Sequence, residues 1–138
     1  MAFPKLNWFT EIEFFDPATM HVAFLVMIDK FRVKLGRRMD ITSSNRPNAG
    51  HVSTSDHDKG CAIDFKTPAT PLEVWTVAKA MGFGGIGLYR TWDGRFYYHI
   101  ANYGKNNGQT WIGLLQEDGK TVTYLTSTPA NLKKYFNI

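Results

Sequence analysis

Within residues 55–64, Ser-Asp-His-Asp-Lys-Gly-Cys-Ala-Ile-Asp, an imidazole at His57 and a carboxylate at Asp64 stand seven positions apart, with Gly60 between them. Both groups ligate zinc, and both also hydrogen-bond to each other, so a metal site and a structural His–Asp pair are both open. A fully extended chain would hold the two residues roughly 23 Å apart. Bringing both onto one ion needs a turn at Asp58-Lys59-Gly60, which glycine makes easy. The demand is strict, because a zinc ligand sits about 2.0–2.2 Å from the metal. The segment after Gly60 reads as a buried strand, with Gly60, Ala62 and Asp64 on one face and Cys61, Ile63 and Phe65 on the other. Asp64 then points away from the apolar face, beside two of the smallest residues, which leave room for a bound group. Cys61 falls on the opposite face and reads as a buried, inert thiol rather than a ligand or nucleophile. A pair at this spacing is common and does not establish a metal by itself.

The elements that must position such a pair belong to one domain, residues 1–138. That length supports a single core, and 43% hydrophobic with 14% aromatic residues can fill it without staples. With one cysteine, an intramolecular disulfide is excluded. The net charge of +4 comes from scattered basic residues, with small groups at 34–38 and 133–134. A solvated face accounts for them; an anionic polymer, nucleic acid or acidic wall polymer, is the sharper alternative. No nucleic-acid motif is present, so nucleic acid ranks last among the partners. The N-terminus lacks an uninterrupted apolar run, and the apolar stretch 20–28 is bordered by His21 and Asp29 and too short to span a bilayer. The expectation is a product made in the cytoplasm without a signal peptide and with no membrane insertion. Action outside the cytoplasm then needs another agent to carry or release it.

Residues 1–15, rich in phenylalanine, read as a short strand or loop packed on the body. Asp16-Pro17 marks a helix start, and Phe24, Ile28, Phe31 and Leu35 keep core spacing up to Gly36, predicting a helix over 17–35. His21 reads as a helical histidine, not a ligand. Residues 39–42 suggest a strand, 43–56 a long polar loop, and 60–66 the strand carrying Asp64. Thr70-Pro71-Leu72-Glu73 is a capping box with proline at the first helical position, opening a helix to about Met81. Strands at 84–89 and 95–101 flank the hairpin signal Trp92-Asp93-Gly94; in the second, Tyr97, His99 and Ala101 share a face. After a loop at 102–109, a second hairpin spans 111–125 and a short helix 129–136. The reading is α+β: a small mixed or antiparallel sheet with two main helices, plus a C-terminal hairpin and short helix.

Residues 55–64 match Ser-x-His-x-x-Gly-x-Ala-x-Asp at every fixed position, and His99 follows on a later strand. This resembles the zinc peptidase family of D-Ala-D-Ala carboxypeptidases and phage endolysins that cut L-Ala-D-Glu bonds, whose fold is shared with Hedgehog signalling domains. Ile41-Thr42-Ser43-Ser44-Asn45-Arg46-Pro47 is similar to the family's upstream strand and arginine. Gly84 to Tyr89 followed by Phe96-Tyr97-Tyr98-His99 is similar to its glycine-rich strand and last histidine. The likeness covers about residues 20–115 and leaves out the C-terminal hairpin and helix. It implies zinc held by His57, Asp64 and His99, with a fourth position for water, whose pKa zinc lowers toward about 7. It also implies that Arg46 pairs with a substrate carboxylate, while Ser55 contacts ligand or substrate or simply holds the turn. His51 is a weaker substrate contact.

The sequence departs from the family where an acidic base is expected, three residues before or two after the last histidine: Phe96 and Ala101 stand there. Asp93 is the nearest carboxylate on the same alternation and is the candidate base, with Asp56 and Asp58 as others. Among Tyr89, Tyr97 and Tyr98, Tyr97 shares the face of His99 and is the candidate oxyanion donor. The implied function is a zinc peptidase acting on peptidoglycan stem peptides, a phage or prophage lysis or virion tail protein working at the cell wall or within the virion. The alternative is a catalytically silent zinc domain in a virion or on the wall. There the aromatics of the C-terminal segment, Trp111, Tyr124, Tyr135 and Phe136, serve an interface with tail or virion proteins.

Overall fold

The computed structural model describes residues 3–44, 60–102 and 108–138. It contains strands β1 (Asp40–Ser43), β2 (Ala62–Lys66), β3 (Gly85–Thr91), β4 (Phe96–Ala101), β5 (Gln109–Leu115) and β6 (Val122–Thr126), and helices α1 (Val22–Leu35), α2 (Pro71–Met81) and α3 (Pro129–Phe136). All six strands form one sheet in the order β1-β2-β4-β3-β5-β6. Neighbours run antiparallel except β3 and β5, which are parallel. The α+β expectation holds, and the sheet is mixed. The C-terminal hairpin is not an appendage: β5 pairs along β3 from Gly85–Gln109 to Thr91–Leu115 and extends the sheet by two strands.

Period-two alternation explains which side of the sheet is covered. Ile63 and Phe65 of β2, Ile86 and Leu88 of β3, Tyr98 and Ile100 of β4 and Ile112 of β5 are all buried in one core. Phe24, Leu25, Ile28, Phe31 and Leu35 of α1, Val74 and Ala78 of α2, and Leu132 and Phe136 of α3 join that core. Phe31 meets Phe65 at 5.9 Å and Phe83 at 5.4 Å, both edge-on, and Phe96 meets Phe136 at 5.7 Å. The three helices therefore pack on one face, and the odd-numbered residues of β3 to β5 face the other way.

The capping box of α2 forms as its residues predict: the Thr70 hydroxyl accepts from the Glu73 amide, and the Glu73 carboxylate accepts from the Thr70 amide at 2.7 Å. The start of α1 differs from the expectation. Pro17–Thr19 closes a separate 3₁₀ turn, the Asp16 side chain makes no capping bond, and α1 begins at Val22. The cause is tertiary. Met20 is extended and buried, and the His21 amide donates to the Gly60 carbonyl at 2.9 Å, a bond that a continuous helix would forbid. Residues 3–15 form irregular backbone with one 3₁₀ turn at Glu11–Glu13. Buried Asp29 of α1 fixes this segment by accepting from the amides of Asn7 and Trp8 at 3.1 and 2.8 Å. Among the described residues, no helix is long and apolar enough to cross a membrane.

Candidate functional site

Asp64 lies on β2 and His99 on β4, and the antiparallel register sets them directly opposite each other. Their side chains emerge on the face away from the helices, where His99 Nδ1 and Asp64 Oδ1 stand 2.9 Å apart. His99 is buried, while the Asp64 side chain keeps about a quarter of its surface exposed, 28%. A carboxylate beside an imidazole assigns the proton to Nδ1, which donates to Asp64. Two groups thirty-five positions apart in the chain are thus joined by strand pairing alone.

Gly60 positions the start of β2. It has φ +70, and a Cβ there would lie 2.3 Å from the Thr19 carbonyl oxygen and 2.9 Å from Met20 Cα. Only glycine lets this backbone enter the sheet against the segment before α1. Gly60 is thereby tied to both the motif and the displaced helix start.

The same register continues beyond the pair. Ser43, Asp64, His99, Gly87, Trp111 and Thr126 form one row across five pairings, and Tyr97, Tyr89, Gly113 and Tyr124 form the next. Gly87 leaves its site empty of side chain, and the Trp111 ring leans over it to within 5.2 Å of the His99 ring. Trp111 Nε1 donates to the Tyr89 hydroxyl at 2.8 Å. Tyr89 in turn stacks on Tyr97 at 4.7 Å and meets Tyr124 edge-on. Burial pushes the phenols of Tyr89 and Tyr97 above their ordinary range, with the charge of Asp64 adding to both. Tyr97 therefore stays a neutral donor at neutral pH, two positions from His99 on the same face.

Several expected site residues stand elsewhere. Asp93 sits at the tip of the β3–β4 hairpin, where its carboxylate accepts from the Thr91 hydroxyl and from Arg95 Nε at 3.1 Å. The Thr91 hydroxyl above all, and then Arg95, hold this carboxyl below its ordinary range, which weakens it as a base. The ladder ends at Arg90–Phe96, about 10 Å by strand rise from His99, and Asp93 lies beyond it. The structure does not bring Asp93 to the pair, because the turn that makes the hairpin also consumes its carboxylate. Tyr98 points into the core and Cys61 is buried, as their alternation predicts. Arg46, His51, Ser55, Asp56, His57 and Asp58 lie outside the described residues.

Zinc fits the donors that are described. Asp64 Oδ1 and, once it gives up its proton, His99 Nδ1 can both ligate zinc, and they converge on the face away from the helices. Tetrahedral ligands about 2.1 Å from an ion lie about 3.4 Å apart, so the pair must open by about half an ångström. Among the described residues, no third His, Cys, Asp or Glu completes a metal-holding group, and the remaining expected ligand, His57, is not among them. Sequence reasoning did not place Trp111 at this site. The signal was available in Gly87 and Gly113, since glycines inside strands mark close approach of another group. No protein-family model, curated protein or solved structure matches the chain.

Proposed function

We propose that the chain is a zinc-dependent peptidase acting on peptidoglycan stem peptides, of the D-Ala-D-Ala carboxypeptidase and L-Ala-D-Glu endolysin kind, serving in phage lysis or a virion tail. The observation that carries this reading is the Asp64–His99 contact on the face of the sheet away from the helices, at the end of a ten-residue pattern that contains His57. His57, Asp64 and His99 would hold the ion. Bound there, zinc supplies Lewis acidity, polarising a peptide carbonyl and making water acidic enough to attack near neutral pH. The protein supplies the rest. The buried His99 keeps its ring edge on the carboxylate, Asp64 stays partly open toward substrate, and neutral Tyr97 offers a hydrogen-bond donor on the same face. Arg46 gives a planar fork for a substrate carboxylate. With Asp93 held at the hairpin tip, the base falls to Asp56 or Asp58.

The test is release of peptide termini from purified peptidoglycan by the wild type, His57→Ala and Asp93→Ala. Activity in the wild type and Asp93→Ala, and its loss in His57→Ala, supports the reading; loss in Asp93→Ala alone overturns the base assignment. A second reading is favoured by the occupancy of the base positions by Phe96 and Ala101: a silent zinc domain in a virion or on the wall. Zinc uptake without cleavage of several wall chemotypes supports it.

A further inference from the structure

Among the described residues of the C-terminal hairpin, Trp111 is the one whose ring meets His99, and its contacts are closely constrained. Trp111 belongs to β5, two strands away from His99, yet its ring lies 5.2 Å from the imidazole because Gly87 separates them. A Cβ at Gly87 would fall 2.7 Å from Trp111 Nε1 and 2.8 Å from Tyr89 Cε2. A Cβ at Gly113 would fall 2.4 Å from the Tyr89 ring. Two strand glycines therefore make the seats for two rings. The rings are then locked to each other by the hydrogen bond from Trp111 Nε1 to the Tyr89 hydroxyl. Tyr89 is pinned further by stacking on Tyr97. The indole cannot rotate away from His99 without giving up that bond, and among the described residues only Gly87 lies between indole and imidazole in the row.

We infer that Trp111, held by Tyr89, is a positioning residue for His99: it walls the imidazole on the side opposite Asp64 and keeps Nδ1 directed at the carboxylate. The hairpin β5–β6 is on this view part of the site rather than a separate interface. In the metal-free protein the wall preserves the Nδ1–H bond to Asp64. In the zinc-loaded protein, and here the inference rests on the proposed function, it preserves the ring orientation that binding needs, as surrounding groups do at metal sites generally.

The decisive comparison uses the full chain, first free of metal and labelled with ¹⁵N-histidine. Wild-type His99 should give one sharp set of ring signals with a slowly exchanging Nδ1 proton. Trp111→Leu removes the wall, and Gly87→Ala displaces it while leaving both rings in the sequence. Both should broaden or lose that proton signal and weaken zinc binding by about 10–100-fold. Trp92→Leu, at the exposed hairpin, should change neither. Should Trp111→Leu unfold, Tyr89→Phe carries the test, with a weakening of about 3–10-fold. Folded Trp111→Leu and Gly87→Ala proteins with wild-type ring signals and wild-type zinc affinity would overturn the inference. A wild type that takes up no zinc sinks the zinc reading instead, and the ring signals alone then judge Trp111.

Discussion

The two faces of the sheet are built by opposite rules. On the face covered by the helices, Ile63, Phe65, Ile86, Leu88, Tyr98, Ile100 and Ile112 pack into one core, where swaps of similar volume cost little. On the face away from the helices, large side chains stand beside glycines in the rows. His99 and Trp111 flank Gly87, and Tyr89 and Tyr124 flank Gly113, so each ring has one place to lie. The covered face supplies stability through burial. The opposite face carries the titratable pair and the aromatic wall, and its specificity depends on register. Changes on the first should cost folding, and changes on the second should cost chemistry.

The strongest challenge to this division is Phe31→Ala. Phe31 is fully buried between Phe65 and Phe83, and truncation should lower unfolding stability by about 3–5 kcal/mol by chemical denaturation. Next is Gly60→Ala, which lies at the join between the motif and the core. The left-handed backbone and the clash with the Thr19 carbonyl should together remove more than about 2 kcal/mol. A cost below about 0.5 kcal/mol would show that β2 does not depend on that close approach.

Acid offers a milder contrast at the turns and caps. Glu73 is held below its ordinary value chiefly by its bond from the Thr70 amide, Asp93 by Thr91, and Asp118 by Thr121. A depressed folded-state pKa gives stability that is complete above the unfolded value and lost as pH falls through the folded one. Melting temperature should therefore hold steady from neutral pH to about 5 and decline below about 4 from these groups. Glu73→Gln should flatten part of that decline. The smallest stability effect is expected for Tyr97→Phe on the face away from the helices, within about 0.5 kcal/mol. Under the proposed peptidase function, its rate should nonetheless fall about 10²-fold if the hydroxyl donates to the reacting carbonyl. A rate unchanged from wild type would remove Tyr97 from the site.

What could be read in advance follows the same division. The covered face is periodic, so Phe24, Ile28, Phe31 and Leu35 announced α1, and Thr70 with Glu73 and Gly82 announced both ends of α2. Asp64 was assigned to the opposite side from Phe65 by alternation alone. The start of α1 was not legible, because Asp16-Pro17 is a sound local signal overridden by the bond from the His21 amide to Gly60, some forty residues away. The merging of β5–β6 into the main sheet was hidden for a similar reason: parallel pairing with β3 leaves no mark within either strand. Asp93 shows the limit of period-two reasoning, since alternation describes a strand and stops where the turn begins. Trp111 at His99 required the register of three strands and two glycines at once.

On the proposed function, Asp64 and His99 are two ligands of one zinc ion. This claim is tested most directly by metal analysis of the purified full chain, equilibrated with zinc at neutral pH and dialysed, beside Asp64→Ala and His99→Ala. One zinc per wild-type chain and almost none in either variant, with all three folded, is the expected result. A folded wild type that retains no zinc, or variants that retain it fully, would contradict the claim and leave the pair as a structural hydrogen bond.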